Sequence, residues 1–308
     1  MKPILLENKE DFHQRFVFLG DSISHQGGYI CLLSAYLKRK LNKAHLEFLN
    51  FGLGSEGVTG RTEPRHPYPR PNVHGRMDGI VSHIQRGDIA FICYGMNDGI
   101  YHPPCDDGLL AYQEGIRKLI KKLSSAGAFV IALTPPIFDA KTKQLLGQLL
   151  LKKSESDFGY DKVYEDYNET LREYADFILS LEKEGIPTVN LFAPMEKELK
   201  ARREENPDYI SGDGIHPNMD GHAVMAKTIL CEVFGMMPDT DFGERFLQSE
   251  EYHIACRQVH LLADALREEV GHDNPTKAPN PLPVAEAFAE VAKLDTELHK
   301  IHNKEFNS

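Results

Sequence analysis

The chain has 308 residues, 41% hydrophobic and 26% charged, the proportions of an ordinary globular protein with room for a sizeable core. Its net charge of -11 excludes nucleic acid or an anionic membrane as the main partner, because both need a basic face. No run is long and apolar enough to span a bilayer, and the opening residues, with Lys2, Glu7 and Lys9, turn charged too soon for a secretory signal.

Residues 1–15 are polar and mixed, an arm or an edge element. Phe16-Val17-Phe18-Leu19 then runs into Gly20-Asp21-Ser22, and Gly27-Gly28 opens an amphipathic segment over 29–37. The pattern predicts strand, tight turn and helix, with Ser22 at the turn. A serine there sits at the C-terminal edge of a sheet, near helix N–H groups that favour developing negative charge. Capping of the helix by Asp21 and Ser22 is the simpler alternative at this point.

Leu46–Phe51 alternates like a second strand and ends in Gly52-Leu53-Gly54-Ser55-Glu56-Gly57, the G-x-G-x-x-G spacing of a dinucleotide-binding turn. That fingerprint needs a helix directly afterwards. Here four prolines fall within the eight residues 64–71, which argues against a nucleotide-binding oxidoreductase. A helix is predicted over 72–85. Ile89–Tyr94 reads as a buried strand delivering Gly95-Met96-Asn97-Asp98-Gly99.

A helix over 109–126 and a fourth strand over 128–134 follow, the strand stopped by Pro135-Pro136. Residues 137–160 form a variable piece, then a helix of about 24 residues ends at Gly185. A fifth strand covers 186–191. Tyr209–Asn218 is a loop by its glycines and proline, and a helix runs from about Asn218 to Phe234. Strand and helix alternate throughout, which predicts an α/β fold with a five-stranded, mostly parallel sheet and helices on both faces.

Beyond Pro238 the composition shifts. Two amphipathic helices, over 246–269 and 283–303, are joined by a breaker-rich stretch. The expected division is a domain over 1–235 and a helical C-terminal extension over 236–308, a cap on the site or a dimer element. The five cysteines, Cys31, Cys93, Cys105, Cys231 and Cys256, include no C-x-x-C pair. They read as free thiols of a cytoplasmic protein.

Four short motifs fall on one edge of this sheet: Ser22 in Gly-Asp-Ser, the 52–57 turn, Asn97 in Gly-Met-Asn-Asp, and Asp213-Gly-Ile-His216. Serine-dependent ester hydrolysis needs a base, a group that orients the base, and donors for the oxyanion. His216 is the candidate base and Asp213 the orienting carboxylate. The backbone of Ser22, a backbone N–H of the 52–57 turn and the Asn97 amide are candidate oxyanion donors. Asp21, Gly54, His25 and His102 are candidates for touching substrate. No histidine pair shows metal spacing, so neither metal nor other cofactor is expected. Arg61, Arg65, Arg70 and Arg76 surround the proline-rich loop and are expected to form a solvated, salt-bridged rim. The G-x-S-x-G elbow of α/β-hydrolases is absent.

In this order, the four blocks resemble the SGNH (GDSL-type) hydrolases over residues 16–234. The resemblance implies a three-layer α/β/α fold of flavodoxin-like type and acyl-ester hydrolysis without a metal, in a family divided among lipid esterases, thioesterases and carbohydrate deacetylases. Two departures stand out. Gly-Asp-Ser is followed by Ile23 rather than leucine, and Ser55 stands where the family usually has glycine. Ser55 can donate its N–H only if it adopts the required backbone angles, with Gly54 as the fallback. The expected function is a cytoplasmic serine esterase for short acyl, chiefly acetyl, esters, perhaps on carbohydrates. A lysophospholipase or thioesterase, or a non-catalytic binding protein on the same fold, are the alternatives. The expected partner is a small-molecule ester, with neither nucleic acid nor membrane, and with self-association left open.

Overall fold

A computed structural model describes residues 2–239 and 242–306. The strands and helices that carry the site come in alternation: β1 His13–Gly20, α1 Ser22–Gln26, α2 Gly28–Lys40, β2 His45–Asn50, α3 Met77–Ser82, β3 Ile89–Cys93, α4 Asp106–Ala126 and β4 Phe129–Leu133. There follow α5 Ala140–Leu145, the short β5 Leu150–Leu151 and β6 Val163–Tyr164, α6 Asn168–Ser180, β7 Thr188–Val189, α7 Phe192–Glu205 and α8 Met219–Phe234. Three tail helices complete the chain: α9 Phe242–Leu247, α10 Glu250–Val270 and α11 Val284–Phe306.

The main sheet has the order β2-β1-β3-β4-β7 and is parallel throughout. Phe18 pairs with Asn50 and Gly20 with Cys93, so β1, β2 and β3 end at one level and their following loops share an edge. The chain passes from β1 outward to β2 and then returns to the other side of β1 as β3. Ligands of open α/β sheets bind at such a reversal, outside the carboxyl ends of the strands.

Alternate residues of the strands feed two core layers, as the period of two dictates. Phe16, Phe18 and Phe91 face a layer completed by α2 and α8; Val17, Leu19 and Ile92 face one completed by α3 and α4. α10 contributes to both: Tyr252, Ala255 and Val259 to the first, Leu262, Ala265 and Leu266 to the second. It also packs along α2 and β2. It therefore runs past the β2 edge of the sheet and covers an edge that would otherwise offer unpaired backbone groups.

Several elements differ from expectation. The helix expected over 72–85 is a 3-10 turn, Val73–Gly75, followed by the six-residue α3; Gly75 and Gly79 disfavour a longer helix. The fifth strand shrinks to two residues because Thr134 replaces ladder partners with its side chain, its Oγ1 accepting from the backbone of Leu191 and Phe192 at 2.9 and 3.0 Å. α1 and α7 were not foreseen.

Candidate active site

The turn after β1 is built around Gly20. A Cβ there would lie 2.7 Å from the Cys93 carbonyl oxygen, so only glycine lets β1 and β3 finish side by side. Asp21 caps α1 by accepting from Ile23 N–H at 2.9 Å. Its full burial pushes its carboxyl up to about 7. Capping and catalysis are not alternatives here: Asp21 does the capping and leaves the Ser22 hydroxyl free for another partner.

That partner comes from the 209–218 loop. Asp213 Oδ1 accepts from the backbone of Ile215 and His216 at 2.8 and 2.7 Å, folding the loop into a tight turn. Its Oδ2 lies 2.7 Å from His216 Nδ1, and His216 Nε2 lies 2.7 Å from Ser22 Oγ. Burial works against the Asp213 charge, but the hydrogen bonds from the His216 side chain and backbone hold its carboxyl well below the usual carboxylate range. An ionised Asp213 is an acceptor only, so Nδ1 must carry the proton. Nε2 is then the acceptor for the Ser22 hydroxyl.

Asn97 and the 52–57 turn face each other across the β1 end. Asn97 Nδ2 donates to the Glu56 carbonyl at 3.0 Å, and its Oδ1 accepts from Arg70 Nη1 at 2.9 Å and Tyr101 Oη at 3.0 Å. These partners fix the amide orientation and leave the second Nδ2–H without an acceptor among the described residues. Next to it, Asp98 Oδ1 accepts from Val58 and Thr59 N–H at 2.7 and 3.0 Å. Gly57 is required for that approach, since a Cβ would come within 2.6 Å of the same oxygen. Ser55 has φ +62, so it does adopt the left-handed angles that glycine would supply. Its hydroxyl meets Tyr68 Oη at 3.2 Å. The Gly54 carbonyl accepts from Asn274 of the tail at 2.8 Å.

The remaining candidates part ways. The backbone of His25 passes close to Gly52, and burial lowers its ring to about 4, so it is neutral at physiological pH. His102 lies against Phe158 at a ring distance of 5.2 Å, also lowered by burial. The expectation of a solvated arginine rim is corrected for two of four residues. Arg65 does pair at the surface with Asp157 and Asp161. Arg70 and Arg76, however, are buried in bidentate pairs with Glu63 and Glu56. The sequence singled out neither Glu63 nor Tyr101 and placed Arg70 only on the rim; a glutamate and an arginine inside a proline-rich loop were the only signal. Among the described residues, no group of three or more His, Cys, Asp or Glu could hold a metal ion, and no helix is long and apolar enough to cross a membrane.

A family model described as the GDSL-like lipase/acylhydrolase family matches residues 18–224, which include all four blocks. The chain belongs to the GDSL-like lipase/acylhydrolase family. Within solved structures, this GDSL-like chain is similar to a gut microbial diltiazem-metabolizing enzyme, with a TM-score of 0.53 and 19% identity. The match covers 75% of this chain and 47% of that one, so the chain spans about half its length. It is also similar to a catalytic mutant of Axe2, an acetylxylan esterase from Geobacillus stearothermophilus, at TM-score 0.53 and 18% identity, covering 73% of this chain and 97% of that one. Axe2 itself gives TM-score 0.51 and 18% identity, covering 71% and 93%. At such identities the likeness concerns the fold. No curated protein matches the sequence. Membership places this GDSL-like chain among the esterases and acylhydrolases of that family.

Proposed function

We propose that the chain hydrolyses esters through an acyl-enzyme formed on Ser22, with His216 as general base and Asp213 as the group that orients it. The observation that carries this reading is the unbroken hydrogen-bonded line Asp213–His216–Ser22, with both contacts at 2.7 Å. His216 Nε2 takes the Ser22 proton as Oγ attacks the ester carbonyl, and later returns it to the leaving alcohol. Asp213 holds the tautomer and stabilises the imidazolium. The Ser22 and Ser55 N–H groups and the free Asn97 Nδ2–H receive the oxyanion, and losing one such donor slows turnover by about a hundredfold or more.

For the substrate we propose a short acyl group, acetyl in the first instance, on a carbohydrate. Tyr68, bonded to Ser55, and the polar loop around it wall the oxyanion turn with hydroxyl and imidazole groups suited to a sugar. The acetylxylan esterase named among similar structures agrees with that choice. One feature favours longer acyl chains instead. Beside His216 lies a pocket lined by Ile137, Met195, Leu199, Ile215 and Val224 together with the charged Asp139, Glu198, Arg202 and Asp220, whose apolar part is the candidate for a longer acyl chain.

The test is hydrolysis of 4-nitrophenyl acetate, butyrate and octanoate by the parent, Ser22→Ala and His216→Ala. Loss of turnover in both folded variants is expected, and activity persisting in Ser22→Ala would remove the mechanism. Octanoate turned over much faster than acetate would overturn the short-acyl preference in favour of the apolar pocket.

A further inference from the structure

Arg70 lies seven residues from its partner Glu63 in a loop that no motif covers, yet its side chain is buried. Its Nε and Nη2 grip Glu63 at 2.7 and 2.6 Å, in the two-pronged geometry that leaves a guanidinium no freedom to rotate. The remaining nitrogen, Nη1, bridges the site: it is 2.9 Å from Asn97 Oδ1 and 3.3 Å from the Ser55 carbonyl oxygen. One nitrogen thus ties together two of the three residues that would supply oxyanion donors.

The surrounding chain is shaped around this contact. Tyr101 donates its hydroxyl to the same Asn97 oxygen at 3.0 Å, and the Arg70 guanidinium sits 5.4 Å from the Tyr101 ring centre. To bring Tyr101 back to Asn97, Ile100 and Tyr101 take φ +45 and +61 in succession. Left-handed angles are strained for a β-branched residue and an aromatic one, and persist only where the surrounding contacts enforce them. Glu63 is in turn held from outside, accepting from Tyr160 N–H at 3.2 Å.

We propose that Arg70, clamped by Glu63, is the positioning residue of the oxyanion hole. It fixes the Asn97 amide so that its free N–H faces the reacting carbonyl, and it holds the Ser55 peptide at the angle that turns its N–H the same way. The Glu63–Arg70 pair is neutral as a whole, so its long-range field is small. Its positive end faces Asn97, however, and polarises the amide through the Oδ1 bond, which makes the Nδ2–H a stronger donor as charge develops. The role is felt in the transition state and hardly in substrate binding.

This inference rests on the acyl-enzyme reading above, and the experiment keeps the two apart. The full chain is assayed with 4-nitrophenyl acetate as Asn97→Ala, as Arg70→Lys, and as Glu63→Gln/Arg70→Gln, a pair that leaves no unpaired buried charge. Both Arg70 changes are also placed in the Asn97→Ala background, and folding is followed by circular dichroism. Arg70→Lys keeps the charge, but its single nitrogen cannot hold Glu63 and bridge Asn97 and Ser55 together. The expected result is a fall in kcat of roughly tenfold or more, with KM within about twofold, in each Arg70 variant. In the Asn97→Ala background the same changes should cost no more than about threefold, because the group they position is gone. Unchanged kcat in the Arg70 variants beside a slowed Asn97→Ala overturns the inference. So does an Arg70 effect that persists in full without Asn97. An unimpaired Asn97→Ala would remove the oxyanion assignment itself, and this inference with it.

Discussion

Asp213 performs two tasks with its two oxygens, and two substitutions separate them. Oδ1 accepts from the Ile215 and His216 backbone, while Oδ2 meets His216 Nδ1. Asp213→Ala removes both. Hydrogen bonds to a charged group contribute about 1.5–3 kcal/mol each when buried. The Asp213 side chain is 48% exposed, so water can replace part of what is lost, and a total near 2 kcal/mol is the reasonable magnitude. In a chain of this size that corresponds to a fall in Tm of about 3 °C. Asp213→Asn keeps an oxygen for the two backbone N–H groups, so its loss of stability should stay below about 1 kcal/mol. Its amide NH2, however, now faces Nδ1 and favours the wrong imidazole tautomer. In serine proteases the equivalent change lowers kcat by about four orders of magnitude. The expected outcome is therefore two variants about equally inactive toward 4-nitrophenyl acetate, with only the alanine form clearly destabilised in thermal melts. An asparagine variant that keeps a tenth of the parent's turnover, or melts as low as the alanine form, would refute the division of labour.

Two further outcomes are expected. Full burial pushes the Asp98 carboxyl up to about 6, against the bonds it accepts from Val58 and Thr59. A folded pKa above the unfolded value gives stability that is complete below pH 3.8 and lost as pH rises through 6. Between pH 4 and 7 the parent should therefore lose on the order of 2–3 kcal/mol more than Asp98→Asn does in urea titrations; parallel curves would contradict this. The tail is the second case. Burying the side chains of Tyr252, Val259, Leu262 and Leu266 contributes about 1.5–3 kcal/mol each, together comparable with the whole stability of a domain. A chain ending at 235 should not fold, whereas Asn274→Ala should fold and lose turnover by loosening the Gly54 carbonyl. A folded, fully active truncation would show that the tail is a separable appendage.

Apolar runs such as Ile89–Tyr94 were readable as buried strands because both faces of a parallel sheet are covered. Ser22, Asn97, Asp213 and His216 were readable as candidates because short-range chemistry marks them: a glycine turn, a cap, a carboxylate three residues from its histidine. The missing parts are those fixed by distant partners. α7 buries little beyond Phe192 and Met195, so its sequence carries almost no helical stripe. Arg70 looked like a loop arginine because nothing local reveals that Glu63, Tyr101 and Asn97 surround it. The fifth strand read long because its sequence does not show that the Thr134 hydroxyl supplants the ladder.

The Ser22–His216 contact joins residues 194 positions apart. Ser22, the Gly52–Gly57 turn and Asn97 are all made early as the chain is synthesised, at the ends of β1, β2 and β3. The histidine arrives only after nearly a hundred and twenty further residues, and α10, which shields β2, later still. Closing loops of that length is the slow step of building a fold. On the reading proposed above, a half-made chain therefore carries a serine with no base to activate it until the 209–218 loop is added to the finished sheet.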